Sequence, residues 1–118
     1  MARQLFDGDM KPFAFAPLIV LLWGSFAHAL DAEQRHGQSL LEQMCSRCHA
    51  VGPTGSSPNK LAPPFRHLGE NKLYDPDFVQ RLQDGYSSIH RAMPTFRFDR
   101  ESAEAVASYL KAIQTKKH

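Results

Sequence analysis

The run Cys45-Ser46-Arg47-Cys48-His49 constrains this chain more than any other stretch. Two cysteines three positions apart, followed at once by a histidine, form the C-x-x-C-H pattern that attaches a c-type haem. Each thiol can add to one vinyl group of the same porphyrin, and the histidine then presents its imidazole to the iron. A bare C-x-x-C also suits a thioredoxin-like redox pair or half of a zinc site. A redox pair of that kind opens a helix inside a βαβ pattern, which does not surround these residues. A structural zinc takes about four ligands, whereas the chain has only 2 cysteines and no second Cys/His pair. The expected cofactor is one covalently bound haem c, held through Cys45 and Cys48 with His49 on the iron.

The 118 residues argue for one domain preceded by a targeting segment. Phe13 to Ala27 is apolar, Lys11 supplies a positive flank, and Ala27-His28-Ala29 fits the small-x-small cleavage rule. The expectation is a signal peptide over 1–29 and a haem domain over 30–118. The alternative is an uncleaved membrane anchor, although Pro17 and Gly24 interrupt it and its length is short for a span of about 20 residues. Asp7 and Asp9 sit badly in an export head, so the reading starts translation at Met10. Export also bears on the thiols, which tend to persist as disulfides in an oxidising compartment. Two cysteines this close in a helix are poorly placed for an unstrained disulfide, and thioether bonds to haem use both sulfurs. The net charge of +2 is no nucleic-acid footprint.

A domain of about 90 residues buries only about two-thirds of its unfolded surface, so a large apolar cofactor would complete the core and couple its attachment to folding. Asp31 is placed to cap a first helix running toward His49, with Leu40, Leu41, Met44 and Cys48 on one face. Gly37 marks either a close helix crossing or a tolerated surface glycine. Val51 to Pro64 is crowded with turn formers and reads as a loop. A carbonyl from Pro63 or Pro64 can accept the free ring N–H of His49, fixing the imidazole and raising its basicity.

Asp75 followed by Pro76 predicts the start of a short helix, with Tyr74 and Val79 as a hydrophobic staple. Phe78, Val79 and Leu82 face inward, and Gly85 stops the helix. Ser87 to Phe98 reads as a loop containing Met93-Pro94. Asp99 caps a last helix whose inner face is Val106, Tyr109, Leu110 and Ile113, with Lys111, Lys116 and Lys117 at its C-terminal end and fraying beyond Gln114. No alternating strand pattern is present.

The second axial ligand is expected to be Met93. Of the 4 methionines, Met44 and Met93 lie beyond the leader. Met44 adjoins Cys45 on a tether too short to cross the ring, while Pro94 restricts Met93 and helps to aim its thioether. A sulfur ligand raises the reduction potential and fills the sixth position. His90 is the next choice, ahead of His67 and His36, and Met93 as a core space-filler is the plain alternative.

Gly37, Leu41, Cys45 to His49, Pro63/Pro64, Met93-Pro94-Thr95-Phe96 and Tyr109-Leu110 follow the order seen in class I (mitochondrial-type) cytochromes c, and residues 32–114 resemble that family. The resemblance implies an all-α cytochrome c fold of three to four short helices around one haem, with the first and last helices crossing near Gly37 and Tyr109. It also implies His49/Met93 ligation and an orienting carbonyl at Pro63 or Pro64. The function it implies is periplasmic one-electron transfer with redox partner proteins such as an oxidase, reductase or dehydrogenase. The partners include no nucleic acid, and membrane contact requires an uncleaved N-terminal segment. Arg47 and Arg91 are candidates for the docking edge, and Tyr74, Arg66 and Asn71 for the haem propionates. The alternatives are a haem c subunit of a larger dehydrogenase or sulfur-oxidising complex, and a peroxidase or gas sensor with an open sixth position.

Overall fold

The computed structural model describes residues 29–86 and 91–115. The leader, the Met10 start, His90, Lys116 and Lys117 therefore lie outside the described residues. Within them the chain folds as α1 (Ala32–Cys45), a 3₁₀ turn (Phe65–His67), α2 (Glu70–Leu73), α3 (Phe78–Asp84) and α4 (Arg100–Ile113). Among the described residues no helix is long and apolar enough to cross a membrane. The architecture is all-α, as expected, and among the described residues the pairing of extended chain is limited to an isolated antiparallel bridge between Tyr86 and Phe96.

Both long helices start on an aspartate. The Asp31 carboxylate accepts the Gln34 N–H at 2.7 Å, and the Gln34 side chain accepts the Asp31 N–H at 3.1 Å, a reciprocal capping box. Asp99 accepts the Ser102 N–H at 2.7 Å. That bond holds the Asp99 carboxyl below the usual carboxylate range. Such caps satisfy N–H groups that the first turn of a helix leaves without partners.

α4 is the hub, since α1, α2, α3 and the 3₁₀ turn all pack on it. Its apolar stripe carries small residues where α1 crosses and large ones beyond. Ala103, Ala105 and Val106 are fully buried, followed by Tyr109, Leu110 and Ile113. Gly37 lies at the crossing. A Cβ there would fall 2.6 Å from the Ala105 carbonyl carbon and 2.9 Å from the Val106 nitrogen, so this glycine is the close-approach kind. Leu41 from α1, Leu73 from α2 and Phe78 and Leu82 from α3 complete the core. Burying side chains of this size stabilises the fold by about 1.5–3 kcal/mol each.

Several local expectations are corrected. α1 ends at Cys45 rather than continuing toward His49; the chain tightens there, the Cys48 N–H donating to the Cys45 carbonyl at 3.2 Å, a three-residue turn, with the His49 N–H on the same oxygen at 3.0 Å. Residues 46–48 form a turn, so Cys48 is not on the helix face. On that face Leu41 is buried and Leu40 half-buried, while Met44 is exposed. α3 begins at Phe78, not at Asp75-Pro76. The Asp75 carboxylate accepts the Asp77 N–H at 2.9 Å and pairs with Arg81 at 2.7 Å, which makes a turn before the helix instead of its cap. With that start the Tyr74–Val79 staple loses its geometry, and Tyr74 lies exposed with the Lys111 ammonium 4.9 Å over its ring. Gly85 ends α3 as expected, at φ 119°, a conformation that favours glycine. Thr115 does not fray: its N–H donates to the Arg66 carbonyl at 3.1 Å.

Candidate functional site

The site starts from the turn that follows α1. Hydrogen bonds to the Cys45 carbonyl draw Cys48 and His49 back under the helix end. The Ser46 hydroxyl donates to the Glu42 carbonyl on the same turn. Cys45 is half-buried, Cys48 is exposed, and both are free thiols. Burial, and next the charge of Cys48, push the Cys45 thiol up to about 11. A redox-active pair of the thioredoxin kind needs a thiol shifted the other way. Among the described residues there is also no group of three or more His, Cys, Asp or Glu placed to hold a metal ion, the minimum for a zinc site.

The loop from Val51 to Pro64 is pinned to this turn despite its turn-rich composition. The Asn59 N–H donates to the Cys48 carbonyl at 3.1 Å, the Ala50 N–H to the Ser57 hydroxyl at 2.9 Å, and the Phe65 N–H to the Ala50 carbonyl at 3.0 Å. This pinning delivers the Pro63 carbonyl to His49 Nδ1 at 2.8 Å. Pro64 is engaged elsewhere, its carbonyl accepting the His67 N–H at 3.0 Å. The carbonyl that faces His49 therefore belongs to Pro63. On that arrangement Nδ1 carries the proton, and Nε2 is the ring nitrogen left for a metal.

Phe65 completes the setting of His49. Its ring stacks on the imidazole at 4.5 Å between centroids and 29° between planes, and Phe65 is itself buried. Sequence reasoning missed this residue. Its one signal was a large aromatic side chain directly after two prolines, at the exit of the loop. Tyr109 holds the same loop from the other side: its hydroxyl donates to the Val51 carbonyl at 2.7 Å from a fully buried ring. Burial raises the tyrosine above its ordinary value, with the Glu42 charge adding to the shift.

Met93 sits half-buried in the stretch between Arg91 and Phe98. The downstream end of that stretch is tied to Tyr86, just past α3, by the Tyr86–Phe96 bridge at 3.0 and 3.4 Å, and to α3 itself by the Phe98 N–H bond to the Leu82 carbonyl at 2.9 Å. His36 is exposed on α1 and His67 exposed on the 3₁₀ turn. Arg47 and Arg91 are exposed. Arg66 donates to the Gly55 carbonyl at 2.7 Å, and Asn71 and Tyr74 are exposed.

These residues fit a covalently bound haem. Two thiols flank one turn, the adjoining imidazole has no partner for Nε2 among the described residues, and Met44 and Leu61 expose apolar surface, Leu61 at 82 %. Residues 32–110 match the family model described as cytochrome C oxidase, cbb3-type, subunit III, a cytochrome c-type domain. Such a domain binds haem c covalently and exchanges electrons with redox partner proteins, as a carrier rather than an enzyme. No curated protein and no solved structure matches the chain at a significant level. The family match runs from the first residue of α1 to Leu110 near the end of α4, and the chain belongs to this family of cytochrome c domains.

Proposed function

We propose that the chain is an exported, periplasmic one-electron carrier whose haem c is attached through Cys45 and Cys48 and ligated by His49 and Met93. The observation that carries this reading is the His49 Nδ1 contact with the Pro63 carbonyl at 2.8 Å, which fixes the imidazole and leaves Nε2 for iron. Haem c supplies one-electron exchange between ferric and ferrous iron. The chain's own contribution is to hold its ligands still and exclude water. Pro63 and Phe65 immobilise the imidazole from two directions, and the apolar core limits solvent reorganisation. With haem c bound, a Met93 thioether on the iron would favour the ferrous state and keep small ligands off it.

Replacing Met93 by Ala tests this. The ferric wild-type protein is expected to show the weak near-infrared sulfur-to-iron band, and the ferrous protein to resist carbon monoxide. The variant loses the band, binds carbon monoxide and has a lower potential. An unchanged spectrum removes Met93 as ligand, and ready carbon monoxide binding by the wild type counts for the peroxidase or sensor alternative. Export is supported by the apolar stretch ending in Ala27-His28-Ala29. N-terminal sequencing of native material tests it, with Leu30 as the expected first residue.

A second reading is favoured by the family description, which names a subunit of an oxidase. Under it the chain works inside a larger membrane complex instead of shuttling freely. Gel filtration of detergent-solubilised native membranes and of periplasm, followed by haem absorbance, separates the two.

A further inference from the structure

The residue just past α4 holds together parts of the chain that lie far apart in sequence. The Gln114 carboxamide nitrogen donates to the Leu110 carbonyl at 2.9 Å and to the Phe65 carbonyl at 2.7 Å. Its oxygen accepts the Gly69 N–H at 3.0 Å. The partners fix which end of the amide points where, since two are acceptors and one is a donor. The Leu110 bond is local to the end of α4, whereas the other two reach Phe65 and Gly69, outside that helix.

Of these partners Phe65 is the one that touches His49. Its N–H is held by the Ala50 carbonyl, its carbonyl accepts from Gln114 at 2.7 Å and, at the longer 3.3 Å, from the Leu68 N–H, and its ring lies against His49. Two residues earlier is Pro63, whose carbonyl faces His49 Nδ1. The short segment from Pro63 to Phe65 thus touches His49 twice and is itself clamped at both ends of Phe65. We infer that Gln114 is a positioning residue for His49: through Phe65 it fixes the ring stack and the Pro63 carbonyl, and so sets the strength of the Nδ1–H bond. This rests on His49 being the iron ligand. A carbonyl bound to Nδ1–H raises the basicity of the imidazole, and a more basic ligand favours ferric iron. Loosening the clamp weakens that bond and raises the reduction potential.

The test compares mature holoprotein of the wild type with Gln114→Ala and Gln114→Met, the second keeping side-chain length without hydrogen bonding. Two quantities are read: the reduction potential, and, by proton NMR of the ferric state, the His49 ring resonances and solvent exchange of its Nδ1–H. Both variants are expected to show a higher potential and Nδ1–H exchange faster on the order of tenfold, the scale of one hydrogen bond. Should Gln114→Ala fail to mature, Gln114→Met decides alone. A potential and exchange rate equal to wild type, with only the melting temperature lowered, overturns the inference and leaves Gln114 a plain helix latch. A wild-type protein without hyperfine-shifted His49 resonances overturns instead the assignment of His49 as ligand, and the inference with it.

Discussion

Gly37 and Ala105 meet backbone to backbone, with no space for a side chain between α1 and α4. The hub helix carries alanine at 103, 105 and 107, so the two axes come close without leaving voids at the crossing. This contact fixes the direction in which α1 leaves the core, and with it the position of the Cys45–His49 turn.

Gly37→Ala is expected to destabilise the protein. Intrinsic propensity favours alanine in a helix by about 0.5–1 kcal/mol. Against it, the new methyl would overlap the Ala105 carbonyl, a backbone group that cannot step aside without moving the helix. Overpacking of this kind costs about 1–3 kcal/mol or more, so the steric effect wins. Thermal unfolding of the holoprotein should show a fall of several degrees. A melting temperature at or above wild type would mean that the helices separate freely.

Tyr109→Phe removes one oxygen and nothing else. The Val51 carbonyl loses the donor that reaches it at 2.7 Å, in a partly buried setting. Leaving such an acceptor unpaired costs about 1–3 kcal/mol. Denaturant unfolding should give a lower midpoint with an unchanged slope, because the surface exposed on unfolding is the same.

The chemistry of caps is local, and for that reason it is legible in the sequence. Asp31, Asp99 and Gly85 all act where their spacing placed them. Asp75 before Pro76 has the pattern of a cap, but the pattern does not show what else competes for its carboxylate: Arg81 draws it into an ion pair, and the Asp77 N–H bonds it as well. Pro63 and Pro64 posed a similar problem, since both offer a carbonyl; the 3₁₀ turn takes that of Pro64 for His67. Gly37 announced either a crossing or a harmless surface position until α4 was seen against it. Phe65, Leu73 and Gln114 carried no periodic signal, because their partners lie in other elements and a single helix's pattern holds no record of them.

Acid should weaken the α4 cap in a predictable sense. The Ser102 N–H bond keeps the Asp99 carboxyl below its ordinary value in the fold. A group with a depressed folded value contributes stability that is fully present above the unfolded pKa and is lost as pH falls through the folded one. Asp99→Asn keeps a capping oxygen but removes the charge that favours a helix N-terminus. The wild type should therefore exceed the variant in stability at neutral pH, and the gap should close in acid as Asp99 protonates. Urea midpoints measured for both proteins from neutral pH down into the carboxylate range check this. A gap that stays constant with pH would place the stabilisation in shape rather than charge.

Pro63→Ala separates the carbonyl from the ring that carries it. The hydrogen bond to His49 Nδ1 uses the main-chain oxygen, which every residue has. The substitution should therefore leave the reduction potential and the His49 Nδ1–H signal close to wild type. Stability should fall by about 0.4–1 kcal/mol, because the unfolded chain regains the freedom that the proline ring denied it. The loop is held by Ser57, Asn59 and the Phe65–Ala50 bond, and Phe65 also by Gln114; none of these contacts uses the Pro63 ring, so its loss gives the carbonyl no reason to leave its place. A potential that rises together with faster Nδ1–H exchange would show the pyrrolidine ring itself aiming the oxygen. The pinning of the loop by its neighbours would then be too weak to orient His49.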